Sequence, residues 1–193
     1  LISQEGARVA ITSRDPEKRQ SSTNEISQHT DQPVVFVFGD VTAPEIPTRL
    51  IEKTVETFNG LDILITNSGG PAAGLFEDLN DEQWQQAFNL SFMSHVRLIR
   101  AALPYLKQSK CASVLTITSY SVKQPIPNLI LSNSIRAATV GLTKTLALEL
   151  GNQGIRFNSI LPGWTLTDRI NQLMTVRAQQ NQTSIAEEIE KQA

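Results

Sequence analysis

The sequence predicts a doubly wound α/β fold, in which helices cover both faces of a parallel sheet. Short apolar segments of strand length alternate five times with helix-length segments along the chain. The apolar segments are almost continuous, which is typical of strands buried on both faces of a sheet. Right-handed crossovers would then place the intervening helices on both sides of that sheet.

Five segments are predicted to be strands because they are short, apolar and rich in β-branched residues. They are residues 8–12, 34–38, 62–66, 114–118 and 155–161. Helices are predicted between and after them, at residues 15–29, 44–58, 80–108 and 134–150, with two short helices in the polar segment 167–193.

Capping signals support several of these helices. Asn80 and Gln83 have the spacing of a capping box, and so do Ser184 and Glu187. The pair Asn59-Gly60 is a typical C-terminal stop for the second helix. We therefore expect helix boundaries close to these residues.

Composition limits the function classes. The 193 residues are 40% hydrophobic and 19% charged, as in an ordinary globular domain, and the net charge is −2. This charge does not suggest a nucleic-acid or membrane-surface partner. The single cysteine, Cys111, fits a reducing compartment, so we expect a cytoplasmic protein. We predict one domain over residues 1–193, with no metal site and no membrane span.

The chain ends suggest a piece of a longer protein. Residue 1 is Leu, and Leu1 to Gly6 reads like the end of a helix that leads into a strand. At the other end, Ser184 to Ala193 stops within a predicted helix. We expect the sequence to be the middle of a larger domain.

The residues that follow the first predicted strand suggest a nucleotide preference. In a nucleotide-binding sheet, an acid at this position would accept a hydrogen bond from the ribose 2′-hydroxyl, whereas an arginine suits a 2′-phosphate. The segment here is Thr12-Ser13-Arg14. Arg14 therefore favours NADP(H) over NAD(H), although a solvated arginine at the start of a helix is the simpler alternative.

Small and polar residues also follow three other strands. They are Gly39-Asp40-Val41, then Thr66-Asn67-Ser68-Gly69-Gly70, and Pro162-Gly163-Trp164-Thr165-Leu166-Thr167. Glycines at such positions allow a ligand to approach the backbone closely. The simpler alternatives are a helix N-cap for Asp40 and ordinary turns for the glycine segments.

The order and spacing of these motifs resemble the short-chain dehydrogenase/reductase family, over nearly all of residues 1 to about 170. That family has a Ser at the end of a strand, a Tyr thirteen residues later and a Lys four residues after the Tyr. Counted from Ser119, these positions hold Ser132 and Arg136, and Arg136-Ala137-Ala138 takes the place of the family's Lys-Ala-Ala. The chain resembles an atypical member, similar to the 3-oxoacyl-ACP reductases, in which the active-site Tyr and Lys are replaced.

The resemblance implies a Rossmann-like domain and a cofactor role for each motif. Asp40 would contact the adenine amino group, Val41 would pack on the ring, and Asn67, Ser68 and Gly69 would lie near the adenine ribose. Pro162, Gly163 and Thr167 would lie near the nicotinamide half. Arg136 would hold a cofactor ribose, and Asn89 would hold a water that relays protons.

One expected part of the family's fold is not in the sequence. The first strand and its glycine-rich phosphate loop would lie upstream of Leu1. That strand would occupy the centre of the sheet, between the strands at Arg8 and Asp62. We therefore expect a gap in the sheet at this place.

The predicted catalytic residues are Ser119, Ser132, Arg136 and Asn89. A serine hydroxyl is much less acidic than a tyrosine, whose reference pKa is about 10, so Ser132 is a poor proton donor. Ser119 could still bind a substrate carbonyl, and Arg136 could polarise an oxygen. Tyr120 is an alternative proton donor. However, it directly follows Ser119, and neighbouring side chains on an extended segment point in opposite directions.

The predicted function is an NADP(H)-dependent oxidoreductase that transfers a hydride between the nicotinamide and a carbonyl or alcohol substrate. The alternatives are a cofactor-binding protein without turnover and a purely structural member of an oligomer. The family pairs through two long helices, so we expect a homodimer or homotetramer. The segment 167–182 is predicted to form a lid over the substrate, within a lid region of 167–193.

Overall fold

A computed structural model of the chain describes residues 2–28, 33–165 and 167–191. Its strands are β1 (Ala10–Ser13), β2 (Val35–Phe38), β3 (Ile63–Thr66), β4 (Ser113–Ile117) and β5 (Arg156–Ile160). All of the strand pairs are parallel. The doubly wound α/β fold that the sequence predicts is confirmed.

Seven α-helices accompany these strands within the described residues. They are α1 (Pro16–Ser27), α2 (Glu45–Phe58), α3 (Asp81–Phe88), α4 (Ser94–Leu106), α5 (Ile130–Leu150), α6 (Asp168–Asn181) and α7 (Ile185–Glu190). Both predicted capping boxes form, at Asn80 with Gln83 and at Ser184 with Glu187. Asn59 ends α2 in the left-handed conformation, and its amide bonds the carbonyl of Val55.

Two helix predictions need correction. The segment 80–108 is interrupted by a π-helical turn, Asn89–Met93, which joins α3 to α4. Helix α5 begins at Ile130, four residues before the predicted start, because Leu131 is almost completely buried and packs with Ala87 of α3. The earlier start places position 132 inside the helix.

The strands form two separate sheets. Strands β1 and β2 make one sheet, and β3, β4 and β5 make the other. A groove of about 600 Å³ runs between β1 and β3. On β3, Ile63 and Ile65 are 54% and 41% exposed, unlike the apolar residues of the central strand β4. The gap that the sequence predicts at this position is therefore present.

One hydrophobic core joins the two sheets across the gap. It contains Val35 and Val37 of β2, Val114 of β4 and Phe157 of β5. Helices α2 and α4 pack against each other over one face and so connect the sheets. The remaining buried members of this core are Leu50, Ile51, Phe58, Leu64, Leu98, Ile99, Ala102, Leu106, Ala112, Leu150 and Ile155.

Parallel strands bring their carboxyl ends to one edge, and ligands bind along that edge in open α/β sheets. The segments that the sequence analysis selected all follow such ends, from Arg14 after β1 to Pro162 after β5. The fold therefore assembles one candidate site from separate segments. Among the described helices, none has the length and apolarity to cross a membrane.

Candidate active site

Arg14 and Asp40 meet at one end of the site. Arg14 Nη1 lies 3.7 Å from Asp40 Oδ2, and the Arg14 side chain is 73% exposed. Asp40 Oδ1 accepts hydrogen bonds from the amide and the hydroxyl of Thr42, each at 2.8 Å. The amide of Thr42 contributes most to holding the pKa of Asp40 below its usual value, and Arg14 contributes less. Asp40 is thus a fixed carboxylate, whereas Arg14 is a loosely held cation.

The structure separates two roles considered for Asp40. Helix α2 begins at Glu45 and its N-cap residue is Pro44, so Asp40 does not cap that helix. It stabilises the turn from residue 40 to residue 43 instead. Gly39 precedes it because a Cβ there would lie 2.2 Å from Cδ1 of Ile46.

Arg97, on helix α4, holds the loop after β2 in place. Arg97 of α4 donates from Nη1 to the carbonyl of Thr42 at 3.0 Å. Val41 and Asn67 line one end of the groove between β1 and β3, together with Thr12. The loops after β2 and β3 therefore face each other across the gap between the two sheets.

The loop after β3 offers open space and is tied to α5. A Cβ added to Gly69 would have no heavy atom within 4 Å. The Gly69 carbonyl accepts a hydrogen bond from Arg136 Nη2 at 3.3 Å, and Ser68 Oγ makes only a long contact to the same carbonyl. The loop after β3 is thus connected to α5 through the guanidinium of Arg136.

Arg136 is the electrostatic centre of the site. It is 7% exposed, and Nη1 donates to the carbonyls of Thr118 and Ile117 at 3.1 and 3.3 Å. With its bond to Gly69, the guanidinium links the end of β4 to the loop after β3. The planar fork of arginine can serve several carbonyls at once, which the compact ammonium of lysine does with less geometric definition.

His95 is a buried residue of this site that the sequence analysis missed. Its Nδ1 lies 2.6 Å from Oγ1 of Thr66, and the side chain is 1% exposed. Burial, and secondarily the charge of Arg136, lowers the pKa of His95 to about 4. The ring is therefore neutral at pH 7. A histidine on the apolar face of a helix looks like a core residue, so the sequence carries no signal for this pairing.

Two serines lie close to Arg136. Ser119 follows Thr118, whose carbonyl Arg136 bonds, and Ser132 is on the same helix as Arg136. The hydroxyl oxygen of Ser119 accepts a bond from the amide of Ser121 at 3.2 Å, which leaves its proton available to a substrate. Ser132 is buried in the first turn of α5, one turn before Arg136. Within the described residues, its hydroxyl has no hydrogen-bond partner.

Asn89 begins the π-helical turn. Its carbonyl accepts from the amide of Ser94, the five-residue step that defines such a turn. Oγ1 of Thr139 donates to the carbonyl of Ser91 at 2.7 Å, which anchors the turn to α5. Turns of this kind are frequent at functional sites. Asn89 therefore lies in a π-helical turn that contacts α5, the helix that carries Arg136.

The loop after β5 closes the site on the other side. The amide of Tyr120 donates to the carbonyl of Pro162 at 3.1 Å, and Gly163 has open space where a Cβ would point. Thr167 is exposed and precedes α6, with its hydroxyl bonded to the carbonyl of Thr165 at 3.2 Å. Leu166 of the same motif lies outside the described residues.

Tyr120 is turned toward the loop after β5. Its ring meets the Trp164 ring edge-on, with centroids 6.3 Å apart, and it lines a cavity of about 360 Å³. Lys123 is exposed. Neither residue is hydrogen-bonded to Ser119 through its side chain, so the serines and Arg136 are the better candidates for the reacting end.

Comparison with known proteins places this geometry in context. The family model described as enoyl-(acyl carrier protein) reductase matches residues 1–192. An uncharacterized oxidoreductase of Staphylococcus epidermidis is 26% identical over 162 residues, which cover 84% of this chain and 69% of that protein.

Two solved structures share the fold. One is the NADPH-bound structure of a short-chain oxidoreductase from Pseudomonas aeruginosa PAO1 that contains an atypical catalytic center, with a TM-score of 0.83 and 25% identity. The match covers 94% of this chain and 74% of that one. The other is L-sorbose reductase from Gluconobacter frateurii, complexed with NADPH and L-sorbose, with a TM-score of 0.87 and 27% identity over 93% of this chain and 68% of that one.

Proposed function

Because the chain belongs to the short-chain dehydrogenase/reductase family and is an oxidoreductase of that type, we propose that it transfers a hydride between NADP(H) and a carbonyl or alcohol substrate. In this proposal, Ser132 and Arg136 replace the usual Tyr and Lys of the active site. The observation that carries it is the position of Arg136, whose guanidinium joins the loop after β3 to the end of β4 directly before Ser119.

Each residue on the reacting side has a separate role in the proposed reduction of the carbonyl. When bound, the reduced nicotinamide supplies the hydride. Ser119 and Ser132 donate hydrogen bonds to the carbonyl oxygen, and the nearby charge of Arg136 stabilises the negative charge that develops on it. Since neither serine is a strong acid, the proton that completes the alcohol comes from water, and Asn89 holds the water that delivers it.

A neutral His95 is part of this arrangement. A second cation beside Arg136 would be unfavourable in a buried setting, and the lowered pKa of His95 prevents it at neutral pH. Its contact with Thr66 also holds the carboxyl end of β3 against α4. We assign His95 a positioning role, because it acts through Thr66 and the field around Arg136.

The preference for NADP(H) rests on Arg14. Its side chain is exposed at the carboxyl end of β1 and is paired only weakly, at 3.7 Å, with Asp40. Exposed ion pairs of this kind contribute little, so a 2′-phosphate can recruit the guanidinium at small cost. The two similar structures bound to NADPH support this choice of cofactor.

The test is a fluorescence titration of NADPH and NADH against the intact protein, followed by a screen of carbonyl substrates. Saturable NADPH binding, weaker binding of NADH and turnover that falls in Ser132→Ala would support the proposal. NADPH binding without oxidation by any substrate would support a cofactor-binding protein without turnover. A folded protein that binds neither nucleotide would leave only a role in assembly.

Assembly is proposed to use α4 and α5. Helix α5 presents small residues to solvent at Ala137, Ala138 and Gly141, and Leu148 is 86% exposed on the same helix. Small residues let two helices approach closely, and a large apolar residue in solvent is better covered. A homodimer or homotetramer built on this helix is consistent with these exposures.

A further inference from the structure

The guanidinium of Arg177 has no charged partner within the part of the chain that the structure describes. Arg177 lies on α6 and is half-buried, with its Cζ 5.2 Å from the centroid of the Trp164 ring. Among the described residues it forms no ion pair and no hydrogen bond. The aromatic face stabilises the cation and fixes its position without neutralising it.

Two cavities meet at this guanidinium. The larger, of about 360 Å³, is lined by Arg177 together with Tyr120, Asn128 and Asn181. The smaller, of about 220 Å³, shares Arg177 and Asn128 and also contacts Leu173. The amide of Asn181 bonds Glu188. The guanidinium of Arg177 and the amide of Asn128 together offer N–H donors, which are complementary to the oxygens of an anion.

The acidic residues near these cavities do not cancel the charge. Glu188 lines the larger cavity, but it is 2% exposed and accepts bonds from Lys191 Nζ at 2.6 Å and Thr183 Oγ1 at 2.7 Å. Asp78 lines the smaller cavity, is exposed and forms no ion pair with Arg177. Glu188 is thus already paired by Lys191, so the larger cavity keeps the positive charge of Arg177.

The larger cavity is lined by Tyr120, the residue that follows Ser119 in the chain. The Tyr120 ring lies edge-on to Trp164 at 6.3 Å, and Trp164 carries Arg177 on its face. Tyr120 and Trp164 therefore connect the segment that carries Ser119 to the guanidinium of Arg177.

We infer that the larger cavity binds an anionic group of the substrate, a carboxylate or a phosphate, and that Arg177 is the residue that recognises it. This inference rests on the proposed function and narrows it to ketones or aldehydes that carry an acidic group away from the carbonyl. Arg177 is a specificity-determining residue in this scheme, and it takes no part in the hydride or proton transfer.

The first experiment compares matched substrates with the intact protein and NADPH. The pairs are levulinate with methyl levulinate, and dihydroxyacetone phosphate with dihydroxyacetone. For at least one pair, we expect the charged member to be preferred, and Arg177→Gln to lower its kcat/KM by about 10- to 100-fold through KM. The neutral member and the NADPH affinity should change by less than about threefold, within the usual context dependence of a single contact.

The control removes a similar charge elsewhere. Arg156 is exposed on β5, at the amino end of the strand and away from the site edge. Arg156→Gln should leave the ratio of charged to neutral substrate unchanged. Equal kcat/KM for charged and neutral members in the unaltered protein, or an equal loss for both in Arg177→Gln, would overturn the inference.

A binding measurement decides the matter even if no substrate turns over. Residues 1–193 contain two tryptophans, so Trp84→Phe leaves Trp164 as the tryptophan emitter within them. Levulinate or inorganic phosphate should change this emission saturably, and Arg177→Gln should abolish the change. A Trp84→Phe protein that binds NADPH but responds to neither anion would contradict the anion site. Anion binding through Arg177 without any NADPH binding or oxidation would instead contradict the proposed function.

Discussion

The two halves of the site are built differently. On the nucleotide side, Arg14 and Asp40 lie on loops at the surface, and their ion pair is long and exposed. On the reacting side, Ser132, Arg136 and His95 are all buried, and Arg136 is bonded to three backbone carbonyls. Ser132 and Arg136, which the resemblance places where the family has Tyr and Lys, therefore lie in the buried half of the site.

Restoring the usual pair tests whether the missing acid limits turnover. In the double variant Ser132→Tyr with Arg136→Lys, a phenol beside a cation becomes available as the proton donor. General acid catalysis contributes about 10²- to 10⁴-fold, so we expect kcat at pH 7 to rise by at least about 100-fold. The measurement is steady-state oxidation of NADPH with the best carbonyl substrate.

The single variants are the controls for this experiment. Ser132→Tyr alone keeps the Arg136 bonds, and Arg136→Lys alone gives up the fork that joins Thr118 to Gly69. Neither should reproduce the gain. A double variant that binds NADPH normally but has the same kcat would show that the proton donor does not limit the reaction. The difference between the two halves of the site would then not explain the rate of catalysis.

Acid should weaken the buried half through His95. Its pKa is near 6.5 in the unfolded chain and about 4 in the folded protein, so the unfolded state binds the proton more readily. The free energy of unfolding therefore does not depend on His95 protonation above about pH 6.5. As the pH falls from 6.5 to 4, protonation of His95 in the unfolded chain lowers this free energy by up to about 3 kcal/mol. Urea unfolding of the intact protein at pH 7 and pH 4.5 measures this loss.

A His95→Gln variant isolates that contribution, because glutamine can bond Thr66 but does not titrate. The carboxylates titrate in both proteins, so only the difference between the two pH profiles reports on His95. We expect the unaltered protein to be the more stable one at pH 7 and the difference to shrink toward pH 4.5. Parallel profiles would mean that His95 is not buried as a neutral ring.

The exposed half is tested by Arg14→Ala. Loss of a charge-assisted contact to a 2′-phosphate costs about 1.5–3 kcal/mol, or about 10- to 100-fold in the dissociation constant of NADPH. NADH lacks this phosphate, so its affinity should change little. Arg8→Ala is the matched control, since Arg8 lies over the Phe58 ring at the other end of the strand. Equal losses for both nucleotides would remove the basis for an NADP(H) preference.

Substitutions at the two capping boxes have the smallest expected effects, and the two boxes can be compared directly because both have the same hydrogen-bond pattern. Asn80 caps α3, whose residues line neither cavity, whereas Ser184 caps α7, which carries Glu188 into the wall of the larger cavity. Replacing either residue by Ala should cost about 1 kcal/mol of stability. Only Ser184→Ala should also raise KM, because α7 forms part of the proposed substrate end. A rise in KM for both variants would point to a general loosening instead.

The elements were predictable where local chemistry fixes them. The strands follow from short apolar segments, and the capping boxes mark α3 and α7 because their side-chain bonds are local in sequence. The π-helical turn at Asn89 was not predicted, since a five-residue hydrogen-bond step leaves no distinctive residue pattern. The start of α5 was also missed, because it depends on the burial of Leu131 against another helix.

The site was predictable in its outline but not in its connections. The motifs after the strands converge at one edge because all strands are parallel, which the sequence pattern implied. The pairing of His95 with Thr66, and the bonds from Arg136 to Gly69, depend on distances between segments far apart in the chain. Arg177 was passed over because it lies in a polar helix, where an arginine usually faces water.

The π-helical turn also sets the phase of the helices on either side of it. An α-helix turns by about 100° per residue, so one inserted or deleted residue swings everything upstream to a different face. Here α3 faces α5 through Ala87, while α4 faces the sheet through Leu98 and Ala102. Deleting one residue from Asn89–Met93 would therefore act as a rotation: it would straighten the helix and carry Asn89 and Ala87 away from α5 together.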